Sequence, residues 1–192
     1  MTVRIASVVE GHGEVQALPV LLRRIADERG VFDRDIRTPH RIGRPHMTGQ
    51  KVASAVRIQR AVVGDDGIVI VLYDSDDDDP ATAVATTREH LAESSCEALV
   101  LVAVREYEAW LLAGIESLRG TASIAEDASF LGDPESPRNP AGKLEEQMTE
   151  SYKKTLHQAR FTGRLDLEKA SERSPSLRTF ITEFTEALRR HS

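Results

Sequence analysis

Ile68-Val69-Ile70-Val71-Leu72-Tyr73 runs without a break into Asp74-Ser75-Asp76-Asp77-Asp78-Asp79-Pro80, six apolar or aromatic residues followed by five carboxylates. The apolar run is rich in β-branched side chains and follows the turn residues Gly64, Asp65, Asp66 and Gly67, which is the pattern of a strand covered on both faces, as in parallel sheets. Open α/β sheets bind ligands beyond the carboxyl ends of their strands, and here that end carries negative charges that repel one another unless something neutralises them. A divalent cation is the obvious candidate. On an extended backbone Asp74 and Asp76 point to the same side at roughly 6.6 Å spacing, within reach of one hard ion or of a pair about 4 Å apart. Asp77, Asp78 and Asp79 have a plainer reading, as the cap and approach of a helix opened by Pro80.

The flanking sequence supplies the rest of an α/β layer. Residues 3–9 (Val-Arg-Ile-Ala-Ser-Val-Val) form a first strand that ends in Glu10-Gly11-His12-Gly13-Glu14. The two glycines allow positive φ and a sharp reversal, which reads as a tight strand-to-helix connection that presents Glu10 at the strand's tip, beside a helix N-terminus that favours a carboxylate. The helix that follows carries Leu18, Leu21, Leu22 and Ile25 at helical spacing. Neither a dinucleotide fingerprint nor a phosphate loop is present, since Gln16 stands where the third glycine belongs and no Gly-Lys-Ser/Thr follows. Residues 35–40 make a short second strand, 48–63 an amphipathic helix, 80–93 another helix and 98–104 a fourth strand. That alternation predicts about four mainly parallel strands flanked by helices. The fourth strand runs into Arg105-Glu106-Tyr107-Glu108, and Tyr107, Trp110 and Leu111 share one helical face, so one carboxylate of Glu106 and Glu108 faces the sheet edge and the other does not.

Beyond Gly114 the texture changes. Six Gly and Pro residues between 117 and 143 make that segment loop-rich and mobile, and helices return at 143–156 and 176–188. The apolar stripe Leu177, Phe180, Ile181, Phe184 and Leu188 is core or a homodimer interface. The division is an α/β core over 1–113 and a loop-rich, helical extension over 114–192 packed on it.

Of 192 residues 40% are hydrophobic, the formal net charge is −6, and Cys96 is the single cysteine. These values suit one domain with a substantial core, without disulfides, without a thiolate metal site, and with no apolar run long enough for a membrane span; a cytoplasmic protein is expected. The acidic balance does not advertise a nucleic-acid binder, yet residues 34–60 hold seven basic residues against one acid, Asp35. Arg41, Arg44 and Lys51 of that stretch are the candidates to hold a polyanion near the acidic strand ends. His40 and His46 lack the spacing of a zinc motif.

Three strand ends thus deliver carboxylates, Glu10, Asp74 with Asp76, and Glu106 or Glu108, to one edge of one sheet. Oxygen donors without Cys or clustered His suit Mg²⁺ or Mn²⁺, ions that commonly work on phosphate esters. A Glu at the tip of the first strand before a Gly-rich turn, joined to Asp74-Ser75-Asp76 at the tip of a later buried strand, resembles the Toprim domain of topoisomerases, bacterial primases, ribosomal-RNA maturases and overcoming-lysogenisation-defect nucleases. The resemblance covers residues 1–113, and within it the Glu-Gly-x-Gly-Glu opening and Tyr107-Glu108-Ala109-Trp110 look closest to small stand-alone bacterial Toprim-like proteins. It implies a Rossmann-like core, Glu10 as general acid or base or metal ligand, Asp74 and Asp76 as metal ligands, and Glu108 as a further acid. It also implies a basic residue from beyond the sheet, for which Lys143 is the candidate. No tyrosine-bearing topoisomerase module or primase zinc module accompanies these residues, so the implied activity is a metal-dependent nuclease on DNA or RNA. The second reading is a metal-binding regulatory subunit serving a partner ATPase or nuclease. An aspartyl-phosphate phosphatase would leave Glu10 idle and want Thr or Val at position 78, and a calcium loop would want Gly at 79 and Glu at 85.

Overall fold

The computed structural model describes residues 2–121 and 123–191. Its centre is a parallel sheet built on β1 (Val3–Val9) and β4 (Ile68–Asp74), each buried along nearly its whole length. With β2 (Arg34–Ile36), β3 (His40–Arg41) and β5 (Leu99–Ala103) the sheet has five strands in the order β2-β1-β4-β5, and β3 also pairs with β1. The predicted second strand is therefore two short ones. Arg37 N–H still bonds Ile5 O at 2.8 Å, but Pro39 has no N–H to donate, so the ladder breaks and resumes at Val8↔His40.

Period-2 alternation assigns each central side chain to a layer. Ile68, Ile70 and Leu72 face α1 (His12–Glu28), while Val69, Val71 and Tyr73 face α2 (Lys51–Val63) and α3 (Pro80–Glu93). From β1 the chain passes through α1 to β2 on one side, then through α2, on the opposite face, to β4 on the other side. The crevice at the carboxyl ends of β1 and β4 is consequently the topological switch point, where open α/β sheets hold their ligands.

The C-terminal segment completes the α1 layer. After α4 (Glu108–Ala113) come α5 (Pro140–Glu145), α6 (Lys154–Thr162), α7 (Leu167–Arg173) and α8 (Pro175–His191). Phe161, Leu177, Phe180, Phe184 and Leu188 share one apolar cluster with Leu22, Ile70 and Trp110, so the stripe on α8 is core of this chain. Trp110 Nε1–H donates to Ser176 Oγ at 2.7 Å and its ring lies 5.4 Å from Phe180. The helix predicted over 143–156 is divided, because Met148 bridges to Ile124 and the backbone of Gln147 and Thr149 bonds Ala125 and Ser123. The segment expected to be mobile is fastened: Arg173 donates to the carbonyls of Phe130 and Gly132, and Arg119 to that of Ala128. Among the described residues no helix is long and apolar enough to cross a membrane.

Candidate active site

Asp74 is the last residue of β4 and continues the face of Ile70 and Leu72, so its carboxylate enters the α1 layer at the strand's end. There it is buried, accepts Tyr107 N–H at 2.9 Å, and stands 3.9 Å from Lys154 Nζ. Glu10 leaves the tip of the neighbouring β1, and its Oε2 accepts the Asp74 backbone N–H at 3.3 Å. The strand-tip acids therefore meet at the switch point, where the pattern of β-branched runs ending in charge located them.

On the inner side of Asp74 lies a set of groups from three helices and one loop. Glu14, in the first turn of α1, and Glu108, the first residue of α4, are both buried. Gln158 Nε2 donates to Glu14 Oε1 at 3.0 Å and Tyr152 Oη–H to Glu108 Oε1 at 2.7 Å, while Lys154 Nζ lies 3.3 Å from Glu108 Oε2. Glu14 Oε2 and Glu108 Oε2 nonetheless make no hydrogen bond although both are sealed from solvent, an expensive state for carboxylate oxygens. Burial, then Glu14 and Glu108, push the Asp74 carboxyl well above the usual carboxylate range, and burial raises that of Glu108 against the pull of Lys154. Lys154 loses stability as a cation through burial but regains more from Glu108 and Asp74, so it stays protonated.

The glycines of the first turn act through space, not through backbone conformation. The connection is tight, with α1 starting at His12, but neither glycine uses positive φ: Gly11 has φ −110° and Gly13 is helical. A Cβ on Gly11 would collide with Glu14 Oε2, and one on Gly13 with Gln158 Oε1. Both glycines leave room for the side chains of the inner set.

The outer side is open and built differently. Asp76 has φ +50° and its N–H bonds Arg105 O at 2.9 Å, so the extended alternation stops at Asp74 and the two aspartates do not point to the same side. The Asp76 carboxylate turns to Arg44, 2.9 Å away, whose other nitrogen holds Asp78 at 2.6 Å and whose Nε is 3.9 Å from Glu10. Gly43, at φ +72°, swings the chain so that the Arg44 guanidinium also sits 5.4 Å over the Tyr73 ring. Burial, helped by Asp76, raises the Glu10 carboxyl to about 7.

Of the other predicted residues, Arg41 reaches the Glu10 carbonyl at 3.4 Å and Lys51 lies 3.4 Å from His46, so both stand on the Arg44 rim. His40 forms part of β3. Glu106 turns away from the buried set and accepts the Ala141 N–H at 3.0 Å, at the start of α5. Lys143 is exposed and bonds Glu146 at 2.8 Å; the lysine that reaches the acids is Lys154. Glu14, Tyr152, Lys154 and Gln158 escaped the sequence reading. Glu14 left a trace, four residues after Glu10 and in the first helical turn, where a side chain points back toward the strand tip. Among the described residues no three His, Cys, Asp or Glu side chains form a ready metal-ligating group.

The family model described as Domain of unknown function (DUF4276) matches residues 9–185, from the tip of β1 to the last turns of α8. No curated protein and no solved structure matches the chain.

Proposed function

The chain belongs to the DUF4276 family, and from the geometry at its switch point we propose that it is a metal-dependent phosphodiesterase that cleaves nucleic acid. One observation carries this reading: two buried carboxylate oxygens, Glu14 Oε2 and Glu108 Oε2, lack hydrogen bonds beside the buried Asp74. Four acids, Glu10, Asp74, Glu14 and Glu108, lie together, and Lys154 and Arg44 bring them cationic charge. The acids' donor chemistry suits a hard divalent ion, Mg²⁺ or Mn²⁺, whose preferred donors are carboxylate oxygens, and binding would require these side chains to draw together, since no three of them form a ready ligand set among the described residues. Glu10 and Asp74 would hold it, with Glu14 Oε2, which has no hydrogen bond, and Glu108 Oε2, which has only the Lys154 ammonium beside it, behind them, and Asp76 joining from the rim on release from Arg44. When bound, the ion supplies Lewis-acid charge to phosphoryl oxygens.

The chain's own groups have matching roles. Glu10, whose carboxyl is raised to about 7 in the cation-free protein, would instead accept a proton from the attacking water where Asp74 and the inner acids hold the ion without it. Lys154 offers a fixed positive charge to the phosphate as negative charge develops; it takes the role that the Toprim resemblance gave to Lys143. Arg41, Arg44 and Lys51 stand where a polynucleotide's phosphates would cross the rim.

The regulatory-subunit reading draws on Arg44, which already neutralises Asp76 and Asp78 in this structure. The two separate in one experiment: labelled single- and double-stranded DNA and RNA are incubated with the protein in Mg²⁺, Mn²⁺ or EDTA, beside Asp74→Asn and Glu10→Gln. The phosphodiesterase reading expects cleavage that EDTA abolishes and that each substitution lowers by roughly a hundredfold or more. Cleavage indifferent to both substitutions, or none with either metal, overturns it and leaves the subunit of a larger ATPase-nuclease system.

A further inference from the structure

The loop between β4 and α3 is gripped from its second flank as well. Arg105, in the β5–α4 connection, holds an uncommon left-handed backbone at φ +63°, with its N–H on Ser75 Oγ at 2.9 Å and its carbonyl accepting Asp76 N–H. Its guanidinium donates to Asp76 O at 3.1 Å and to Asp77 Oδ1 at 2.6 Å. Arg138, from the loop before α5, brings its Nε to the same oxygen at 3.3 Å, while its side chain is 80% exposed. Two guanidiniums on one anionic oxygen at a solvent-facing rim is a phosphate-binding arrangement, with the Asp77 carboxylate in the anion's place. A single surface carboxylate adds little stability there, so two arginines converging on it calls for another anion.

We propose that Arg105 and Arg138 form a second phosphate-binding arm, across the acidic crevice from Arg41, Arg44 and Lys51, and that Asp77 occupies the position of a backbone phosphate of the bound nucleic acid. This rests on the nucleic-acid reading above and adds the direction of the strand: it crosses the crevice from the β3 side to the β5 side, exchanging its phosphates for Asp77 on one flank and for Asp76 and Asp78 on the other. The acidic loop is then a built-in competitor, and weakening it strengthens binding.

The test is binding without turnover. Fluorescence anisotropy of a fluorescein-labelled single-stranded DNA is measured in Ca²⁺ over a salt series, for wild type, Arg105→Ala/Arg138→Ala, the double Lys variant, and Asp77→Asn. The three side chains lie in three connections, between β4 and α3, between β5 and α4 and before α5, and circular dichroism checks that each variant is folded. The double Ala variant is expected to bind roughly tenfold more weakly, with a salt slope lowered by about 1, and the double Lys variant to recover most of the slope. Asp77→Asn is expected to bind several-fold more tightly, which a purely structural role for Asp77 would not produce. Wild-type binding left unchanged by the double Ala variant, or weakened by Asp77→Asn, overturns the second arm and leaves the phosphodiesterase reading intact. No binding of this DNA or of an RNA of the same sequence by wild type overturns both.

Discussion

The two sides of the crevice hold similar charges under opposite conditions. The inner side places Asp74, Glu14 and Glu108 out of water around one ammonium and leaves two oxygens without hydrogen bonds. The outer side places Asp76, Asp77 and Asp78 in solvent and gives each a guanidinium. Solvated, paired carboxylates need nothing further, because water and arginine satisfy them at small net gain. Buried carboxylates that share a single ammonium cost the fold stability, and under the proposed function a divalent cation would offset that cost. Under the proposed function the outer acids form the rim and the inner acids the cation-binding centre.

That contrast is broken or sharpened most by Lys154→Met, which removes the inner side's ammonium. In EDTA it should destabilise the protein by about 1–2 kcal/mol after allowance for the lysine's partial exposure, read by urea denaturation; no loss would mean that the inner acids are neutral without help. Next comes pH. The Glu10 carboxyl keeps its proton up to about 7 in the folded protein, against an ordinary 4.5. Its contribution to stability is thus complete below about 4.5 and is lost as pH rises through about 7. Thermal unfolding in EDTA should show the melting temperature falling across that window, by an amount equivalent to roughly 1–2 kcal/mol, and Glu10→Gln should flatten the fall. A melting temperature that rises over the same interval would contradict the burial assigned to Glu10.

The smallest effects come from a matched pair of neutralisations. Glu14→Gln, on the inner side, keeps an oxygen for Gln158 and removes a charge facing Asp74, so the cation-free protein should gain about 0.5–1 kcal/mol while losing affinity for Mn²⁺. Asp78→Asn, on the outer side, should change stability by less than about 0.5 kcal/mol and leave Mn²⁺ affinity alone. Equal responses from the two would erase the distinction between the sides.

The fold and half of the site were legible in the sequence for one physical reason. A strand covered on both faces must be an unbroken apolar run, and the first charges after it mark the sheet's edge, which located Glu10 and Asp74 and the parallel α/β layer. Period-2 reasoning fails two residues later, because Asp76 adopts positive φ and abandons strand geometry. The Gly-x-Gly turn shows only that room or freedom is needed: Gly11 gives room to Glu14, three residues on, and Gly13 to Gln158, which no local rule announces from so far along the chain. Lys154 and Gln158 reach the site because α6 packs on α1, where Arg24 of α1 bonds the carbonyls of Thr162 and Leu165. That packing is tertiary, and Lys143, beside the capping Asn139-Pro140 pair, offered a more conspicuous lysine whose role in the structure is an ion pair with Glu146.

Isothermal titration of Mn²⁺ into the EDTA-stripped and desalted protein tests the central claim, that the acids at the β1 and β4 tips make a divalent-cation centre. The account predicts saturable binding to wild type at neutral pH, lost in Asp74→Asn and kept in Asp78→Asn. Absent binding, or binding that Asp74→Asn leaves untouched, would contradict it.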